Sequence, residues 1–201
     1  MSIQKPRILS AEDLLYTLQH RRSIPIKDIA LNEGVATHHL ELMLEAANWA
    51  PSHGQTEPWR FTVFTGSGRA VLADAFVAAY CAITPPEKWD AAGETVQTQR
   101  AFTAPVWVSL GMRLSGAMPE WEEMAAVSMA VQNLHLMVCA LGYIGKWGSG
   151  ILSRHDLIAK AVGIEPPDKL LGLFYIGKAA NPSAPGQRKP IQDKVKWVTG
   201  A

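Results

Sequence analysis

Three short segments of this chain carry residues suited to holding a ligand, and each offers a different kind of contact. Arg21–Ser23 places two guanidinium groups beside a hydroxyl, and guanidinium forms charge-assisted hydrogen bonds with phosphate. Ala50–Trp59 is a polar segment with a proline near each end, which restricts its backbone before any ligand binds. Gly145–Gly150 has glycines that allow close approach of the backbone to a flat group. Together the segments predict a site for a planar ligand with an anionic tail.

Each segment also has a plainer interpretation. Two arginines after a helix are common as a solvated helix end. The 50–59 segment could be a polar connection that leaves His53 in solvent. The third could be a glycine-rich turn that buries Trp147 in the core. The presence of all three segments in one chain favours the ligand site.

Helices must position the first two segments. Ser10 is placed to cap a helix that runs to about His20 and delivers the arginines at its exit. A second helix begins at Thr37, and Pro51 forbids its continuation, so the polar segment starts there.

The rest of the chain mixes strands and helices in irregular order, which predicts an α+β fold in a single domain spanning 1–201. The predicted elements are a strand at Phe61–Phe64, a helix at Arg69–Tyr80, a helix within Glu87–Arg100, a strand at Val106–Met112, a helix at Trp121–Leu141, a short helix at Ser153–Val162 capped by Ser153 and Asp156, and a strand at Leu170–Ile176. The segment Gly142–Trp147 is expected simply to lead out of the long helix.

The helix at 121–141 is apolar on most sides, so we expect it to be enclosed within the subunit or by a partner, as a central dimer helix would be. A membrane span is excluded because Gln132, Asn133 and His135 interrupt the apolar run. The proline-rich tail from Asn181 regains apolar residues at its end, which suggests an arm laid on a surface, such as that of a second subunit.

Composition excludes several classes of function. Lys and Arg number 19 against 18 Asp and Glu, so nucleic acid and anionic membranes are not expected partners. The first seven residues lack the features of a secretory signal, which predicts a cytoplasmic protein. Cys81 and Cys139 have neither disulfide nor zinc spacing, and no metal is predicted.

The order of the motifs resembles the nitroreductase family of FMN-dependent oxidoreductases. Arg21–Ser23 matches that family's Arg-Arg-Ser signature, and Ala50–Trp59 is similar to its Ala-Pro-Ser-x-x-Asn-x-Gln-Pro-Trp loop. Gly145–Gly150 resembles the family segment that runs along the flavin ring, and Gln187–Pro190 resembles its basic C-terminal segment. The resemblance implies a three-layer fold, with a mostly antiparallel central sheet flanked by helices, in an intertwined homodimer.

The resemblance also implies roles for individual residues. In the family, residues at the positions of Arg21, Arg22 and Ser23 bind the flavin phosphate, the ribityl chain and the pyrimidine edge. Residues at the positions of Lys146, Trp147, Gly148 and Ser149 lie along the flavin ring. The resemblance also implies flavin contacts, mainly with the cofactor of the other subunit, from His53, Gln55 and Glu57. Arg188 is a candidate for the phosphate, with a solvated basic residue as the alternative. The chain departs from the family pattern at Pro25, where a third arginine is common, and Arg188 could replace that contact. It also departs at Gln55 and Glu57, where asparagine and glutamine are usual, and a carboxylate at Glu57 would oppose the charge of reduced flavin.

The implied function is hydride transfer from NADPH or NADH to flavin N5, followed by reduction of a nitroaromatic, a quinone or another small electrophile in ping-pong order. The flavin carries the chemistry, so no catalytic side chain is expected. Two alternatives stay open: a specialised reductase of a conjugated alkene or a semialdehyde, and a flavin-binding protein without turnover.

Overall fold

A five-stranded antiparallel sheet lies at the centre of the structure. The computed structural model describes residues 9–30, 33–181 and 186–200. Its helices are α1 (Ala11–His20), α2 (Thr37–Asn48), α3 (Arg69–Ile83), α4 (Ala91–Thr103), α5 (Glu120–Ala140) and α6 (Asp156–Ala161). Its strands are β1 (Trp59–Arg60), β2 (Val63–Thr65), β3 (Val106–Met112), β4 (Ile144–Gly148) and β5 (Lys169–Gly177). The strand order is β1-β3-β5-β4, with β2 also paired to β3.

Helices cover both faces of the sheet, which explains why every residue of β3 is buried. Val108 and Leu110 of β3 pack in a core with residues of α2 and α5, whereas Trp107 packs in a second core with residues of α3 and α4. This alternation is that expected of a strand between two layers. The predicted α+β class, with three layers and an antiparallel sheet, is therefore confirmed.

The predicted helices agree with the structure to within a few residues. Ser10 caps α1 as expected, because its hydroxyl accepts a hydrogen bond from the Asp13 N–H at 3.0 Å. The predicted strand at Phe61–Phe64 is instead divided into β1 and β2. At the break, the Thr62 N–H donates to the Ser109 hydroxyl at 2.8 Å rather than to a backbone carbonyl, so a side chain interrupts the ladder.

Two expectations about the second half of the chain are wrong. The segment after α5 forms a true strand, β4, because Ile144–Gly148 pairs with β5 despite its glycines. Neither Ser153 nor Asp156 caps α6, since Ser153 is buried in a turn at Leu152–Arg154 and Asp156 is the first residue of the helix. The cap is His155, whose Nδ1 accepts from the Leu157 N–H at 3.2 Å.

Within the described residues, the segment Gly66–Ile83 is long and apolar enough to cross a membrane by length and composition alone. Leu72 and Phe76 of this segment are fully buried in the core beneath the sheet. Core packing therefore accounts for part of its apolarity. The N-terminal residues on which the cytoplasmic expectation depends, and 182–185 of the expected arm, lie outside the described residues.

Candidate functional site

The Arg21–Ser23 segment lies beside β4, although more than a hundred residues separate them in sequence. Arg21 ends α1, and its N–H donates to the Thr17 carbonyl at 3.0 Å. Ser23 forms a parallel bridge with Gly145, and the Ile24 N–H donates to the Gly145 carbonyl at 3.4 Å. The fold thus brings the first and third sequence motifs together.

A buried histidine of α5 connects the two arginines. The Arg21 Nη1 donates to His135 Nδ1 at 3.2 Å, so that ring nitrogen is the acceptor. The opposite nitrogen, Nε2, carries the ring proton and donates to the Arg22 carbonyl at 3.1 Å. Burial and, second, the charge of Arg21 lower the pKa of His135 from 6.5 to about 4, so the ring is neutral at neutral pH.

The C-terminal basic segment reaches the same place. A Cβ on Gly186 would lie 2.9 Å from Arg22 Nη1, so this residue rests directly against the arginine. Burial lowers the pKa of Arg21, and the nearby charges of Arg188 and Arg22 lower it further. Three guanidinium groups therefore share one region, which we call the arginine cluster: Arg21, Arg22 and Arg188.

The arginine cluster has the properties of an anion site. The Arg22 Nε is buried and finds no acceptor among the described residues. The two ion pairs found across the described ranges, His53 with Glu122 and Lys169 with Glu120, do not involve these arginines. Since buried donors are normally satisfied and concentrated charge is normally compensated, an anionic group fits this region.

β4 is an edge strand, and its free edge adjoins the arginine cluster. The Gly145 carbonyl points away from β5, because it accepts from Ile24. Backbone groups alternate in direction along a strand, so those of Trp147 also point outward. The indole of Trp147 is held by a hydrogen bond to the Leu171 carbonyl at 3.1 Å, and Lys146 is exposed. The Trp147 amide can therefore donate to the polar edge of a flat ligand.

A cavity of about 380 Å³ lies between β4 and α5. Trp147 and Ser149 line it from the strand side, and Met124 and Ser128 line it from α5. Its size is within the range of small-molecule sites. A larger groove of about 860 Å³ adjoins it through Arg154 and Lys169, but none of the residues of the three motifs lines that groove.

The polar 50–59 segment is a strained and anchored loop. Gln55 and Glu57 have φ values of 54° and 43°, which non-glycine residues adopt at a cost in free energy. The Ser52 hydroxyl accepts from the Glu57 N–H at 3.2 Å. His53 Nδ1 contacts the Glu122 carboxylate at 2.5 Å and fastens the loop to α5. The side chains of His53, Gln55 and Glu57 remain exposed.

Helix α5 separates this loop from the other two motifs in the chain. Successive residues of a helix are rotated by about 100°, so Glu122 and Met124 leave α5 on roughly opposite sides. The loop contacts the side of Glu122, while the cavity and the arginine cluster lie on the side of Met124 and His135. The structure thus unites motifs one and three but does not bring motif two to them.

An apolar stripe on α5 lies between these two sides and faces away from the core. It comprises Trp121, Ala125 and Met129, all of them exposed, and Trp121 is 68% exposed. The exposed polar residue Gln132 lies beside it. The opposite side of α5 is fully buried. The expected enclosure of the helix on most faces therefore holds on one side only within a single protomer.

The sequence analysis gave His135 no part in the site and named it only as an interruption of the apolar run. A polar residue within an apolar helix was the available signal, but its contact with Arg21 depends on packing. The structure also shows no group of three or more His, Cys, Asp or Glu side chains that could hold a metal, as far as the described residues extend. The absence of a metal stays a prediction.

Comparisons with known proteins agree on one family. The nitroreductase family profile matches residues 18–178. The Escherichia coli (strain K12) protein named "Putative NAD(P)H nitroreductase YdjA" is 30% identical over 172 residues, covering 82% of this chain and 87% of that protein.

Two solved structures share the fold. The nitroreductase-like family protein from Bacillus cereus superposes with a TM-score of 0.82 and 24% identity, covering 96% of this chain and 100% of that one. The FMN-dependent nitroreductase NfnB from Mycobacterium smegmatis, solved in complex with NADPH, superposes with a TM-score of 0.73 and 18% identity, covering 94% and 99%.

Proposed function

The chain belongs to the nitroreductase family of NAD(P)H-dependent oxidoreductases, and we propose that it binds FMN along β4 and reduces small electrophilic acceptors. The observation that carries this proposal is the arginine cluster, with its buried and unsatisfied Arg22 Nε, at the free edge of β4. A phosphate supplies the negative charge that would compensate the cluster, and the strand edge supplies backbone donors for a flat ring.

Within one protomer, different residues bind different parts of the cofactor. Arg21, Arg22, Ser23 and Arg188 hold the phosphate end. Trp147 and Ser149 hold the ring edge through their backbone, Gly148 leaves room for the ring between them, and Lys146 places a positive charge beside the strand. When bound, FMN supplies hydride chemistry between NADPH or NADH and a nitroaromatic, quinone or similar acceptor, in ping-pong order. The chain's own contribution is orientation and electrostatics.

A second copy of the chain completes the site. In one protomer, α5 stands between the arginine cluster and the loop that carries His53, Gln55 and Glu57. The exposed apolar stripe of α5 lies between them, and Trp197 and Val198 of the C-terminal arm are 82% and 88% exposed. Packing two copies through these surfaces buries apolar area and lets the loop of one copy reach the β4 edge of the other.

Anaerobic reduction of the purified protein tests the function. We expect a yellow protein whose flavin absorbance is bleached by NADPH or NADH and restored by a nitroaromatic or a quinone, with parallel double-reciprocal plots. Conjugated enones and semialdehydes belong in the same acceptor screen, since they would identify a specialised reductase.

The Arg21→Ala variant supplies the control for the phosphate assignment. Loss of one charge-assisted contact is expected to weaken FMN binding about tenfold to a hundredfold. A folded wild-type protein that takes up no FMN would contradict the proposal. A yellow protein that neither nucleotide bleaches would instead be a flavin-binding protein without turnover.

A further inference from the structure

We infer that His135 is a positioning residue, which holds Arg21 and Arg22 in the arrangement that grips the phosphate of the cofactor. The inference rests on the proposed function for the identity of the ligand. It assigns a specific part to a residue that does not line the cavity between β4 and α5. His135 lies beside the Gly145 backbone of β4 and acts through the two arginines.

The hydrogen bonds of His135 reach both arginines in different ways. Its Nδ1 accepts from the Arg21 guanidinium at 3.2 Å and fixes the direction of that side chain. Its Nε2 donates to the Arg22 carbonyl at 3.1 Å and fixes the backbone that joins the two residues. A single ring therefore sets the position of one guanidinium and the chain path of the other.

The ring itself is held firmly. His135 is 6% exposed, and it packs edge-on against Phe174 of β5 with ring centroids 5.0 Å apart. An arginine side chain loses rotamer entropy when it is ordered. Because His135 orders Arg21 before the ligand arrives, less of that cost falls on binding.

The arrangement requires a neutral ring, since only an unprotonated Nδ1 can accept from a guanidinium. Burial and the adjacent Arg21 charge favour that neutral form. A cation such as lysine at this position could not substitute, because it would repel Arg21 and offer no acceptor. The chemistry of the site thus selects imidazole, which presents one acceptor and one donor on opposite sides.

The alternative is that His135 only fills the core between α5 and β5. A core role affects every ligand of the folded protein alike, whereas a positioning role affects the phosphate alone. FMN and riboflavin share the ring and ribityl chain and differ in the phosphate, so the ratio of their affinities separates the two roles.

The experiment measures FMN and riboflavin binding, by flavin fluorescence titration, to FMN-free wild-type, His135→Phe and His135→Gln proteins. Phe keeps the aromatic contact with Phe174 but has no hydrogen-bonding nitrogen. We expect FMN affinity to fall at least tenfold in His135→Phe and riboflavin affinity to change less than about twofold. Gln can still donate to the Arg22 carbonyl, so the His135→Gln protein should lose less FMN affinity than the His135→Phe protein.

His39→Phe is the matched control, because His39 is a partly buried histidine bonded to the Tyr143 hydroxyl at 2.9 Å, away from the arginines.

A double-mutant cycle completes the test. In an Arg21→Ala background, His135→Phe should cause little further loss of FMN affinity, because the side chain that it orients is gone. Equal losses for FMN and riboflavin, or fully additive losses in the cycle, would overturn the inference. If His135→Phe does not fold, the same two comparisons are made with His135→Gln. Failure of the wild-type protein to bind either flavin would overturn the proposed function instead.

Discussion

At the scale of single residues, the site is dominated by charge that the protein itself does not neutralise. Arg21, Arg22 and Arg188 lie close together, and His135 stays neutral among them. The thiol of Cys139 is also neutral, since burial raises its pKa. Such an arrangement is unfavourable in the empty protein and becomes favourable when an anion arrives, which is common at binding sites.

The low pKa of His135 predicts how stability depends on pH. The unfolded chain binds a proton at this residue with a pKa of 6.5, whereas the folded protein does so at about 4. Between these values the unfolded state holds more protons, so the contribution of His135 to stability is complete above pH 6.5 and is lost as pH falls towards 4. His135→Gln removes that dependence.

Urea unfolding of FMN-free wild-type and His135→Gln proteins measures this effect. The difference in their free energies of unfolding should shift by about 2 to 3 kcal/mol in favour of the variant when pH falls from about 7.5 to about 4.5. The other titrating groups are common to both proteins, so their contributions cancel in the difference between the two free energies of unfolding. A difference that stays constant with pH would contradict the assignment.

At the scale of elements, β4 connects the arginines to the cavity. One end of the strand bridges Ser23, and its other end lines the cavity through Trp147. Gly145 is essential to this placement, because a Cβ there would lie 2.5 Å from Phe174 Cε1 and 2.7 Å from the Tyr175 carbonyl oxygen. The glycine therefore serves strand packing, in addition to any approach of a ligand.

Gly145→Ala tests the placement of this strand. Overpacking against β5 is expected to lower the free energy of unfolding by about 1 to 3 kcal/mol and to weaken FMN binding by displacing the edge. Gly150→Ala is the control, since no described atom lies within 4 Å of its added Cβ, and its stability should stay within about 0.5 kcal/mol. Thermal and urea unfolding with FMN titration would measure both effects, and equal behaviour of the two variants would refute the argument.

At the scale of the whole molecule, the proposed dimer explains two features that one protomer leaves unused. The stripe on α5 is apolar and exposed. The strained loop that carries Gln55 and Glu57 contacts the side of α5 away from the cavity. Backbone strain is often retained at functional sites. Both features acquire a purpose if a second copy covers the stripe and receives the loop.

Met129→Glu tests this assembly. Met129 is 40% exposed on the stripe, and a carboxylate there would have to be desolvated in a dimer, so we expect dimer affinity to fall at least tenfold and FMN to be lost with it. Sedimentation velocity at micromolar concentration measures the change. Val71→Glu is the control, because Val71 is 51% exposed on α3, across the sheet from α5. A wild-type monomer that retains FMN, or a Met129→Glu dimer as tight as wild type, would contradict the proposal.

The sequence by itself determined the α+β class, the approximate bounds of the helices and β3, and the family, and it singled out three segments as candidates for ligand binding. These features depend on local information: periodicity, capping residues such as Ser10, proline breaks and short motifs whose residue types suit one chemistry. The division of Phe61–Phe64 and the strand at Ile144–Gly148 were not predictable in this way. The first depends on the Ser109 hydroxyl and the second on pairing with β5, and both partners are distant in sequence.

Only the tertiary structure decided how the motifs relate in space. It joined Ser23 to Gly145 and set α5 between the polar loop and the rest of the candidate site. It also placed His135 against Arg22 and Arg21, which precede it by 113 and 114 positions in sequence. The physical reason is that residue type determines what a side chain can bind, whereas the packing of helices on the sheet determines which side chains meet. The residue types of the candidate site could therefore be read from the sequence, and the family resemblance assigned the polar loop mainly to the other subunit. The sequence did not predict that α5 is the element that separates the loop from the arginine cluster.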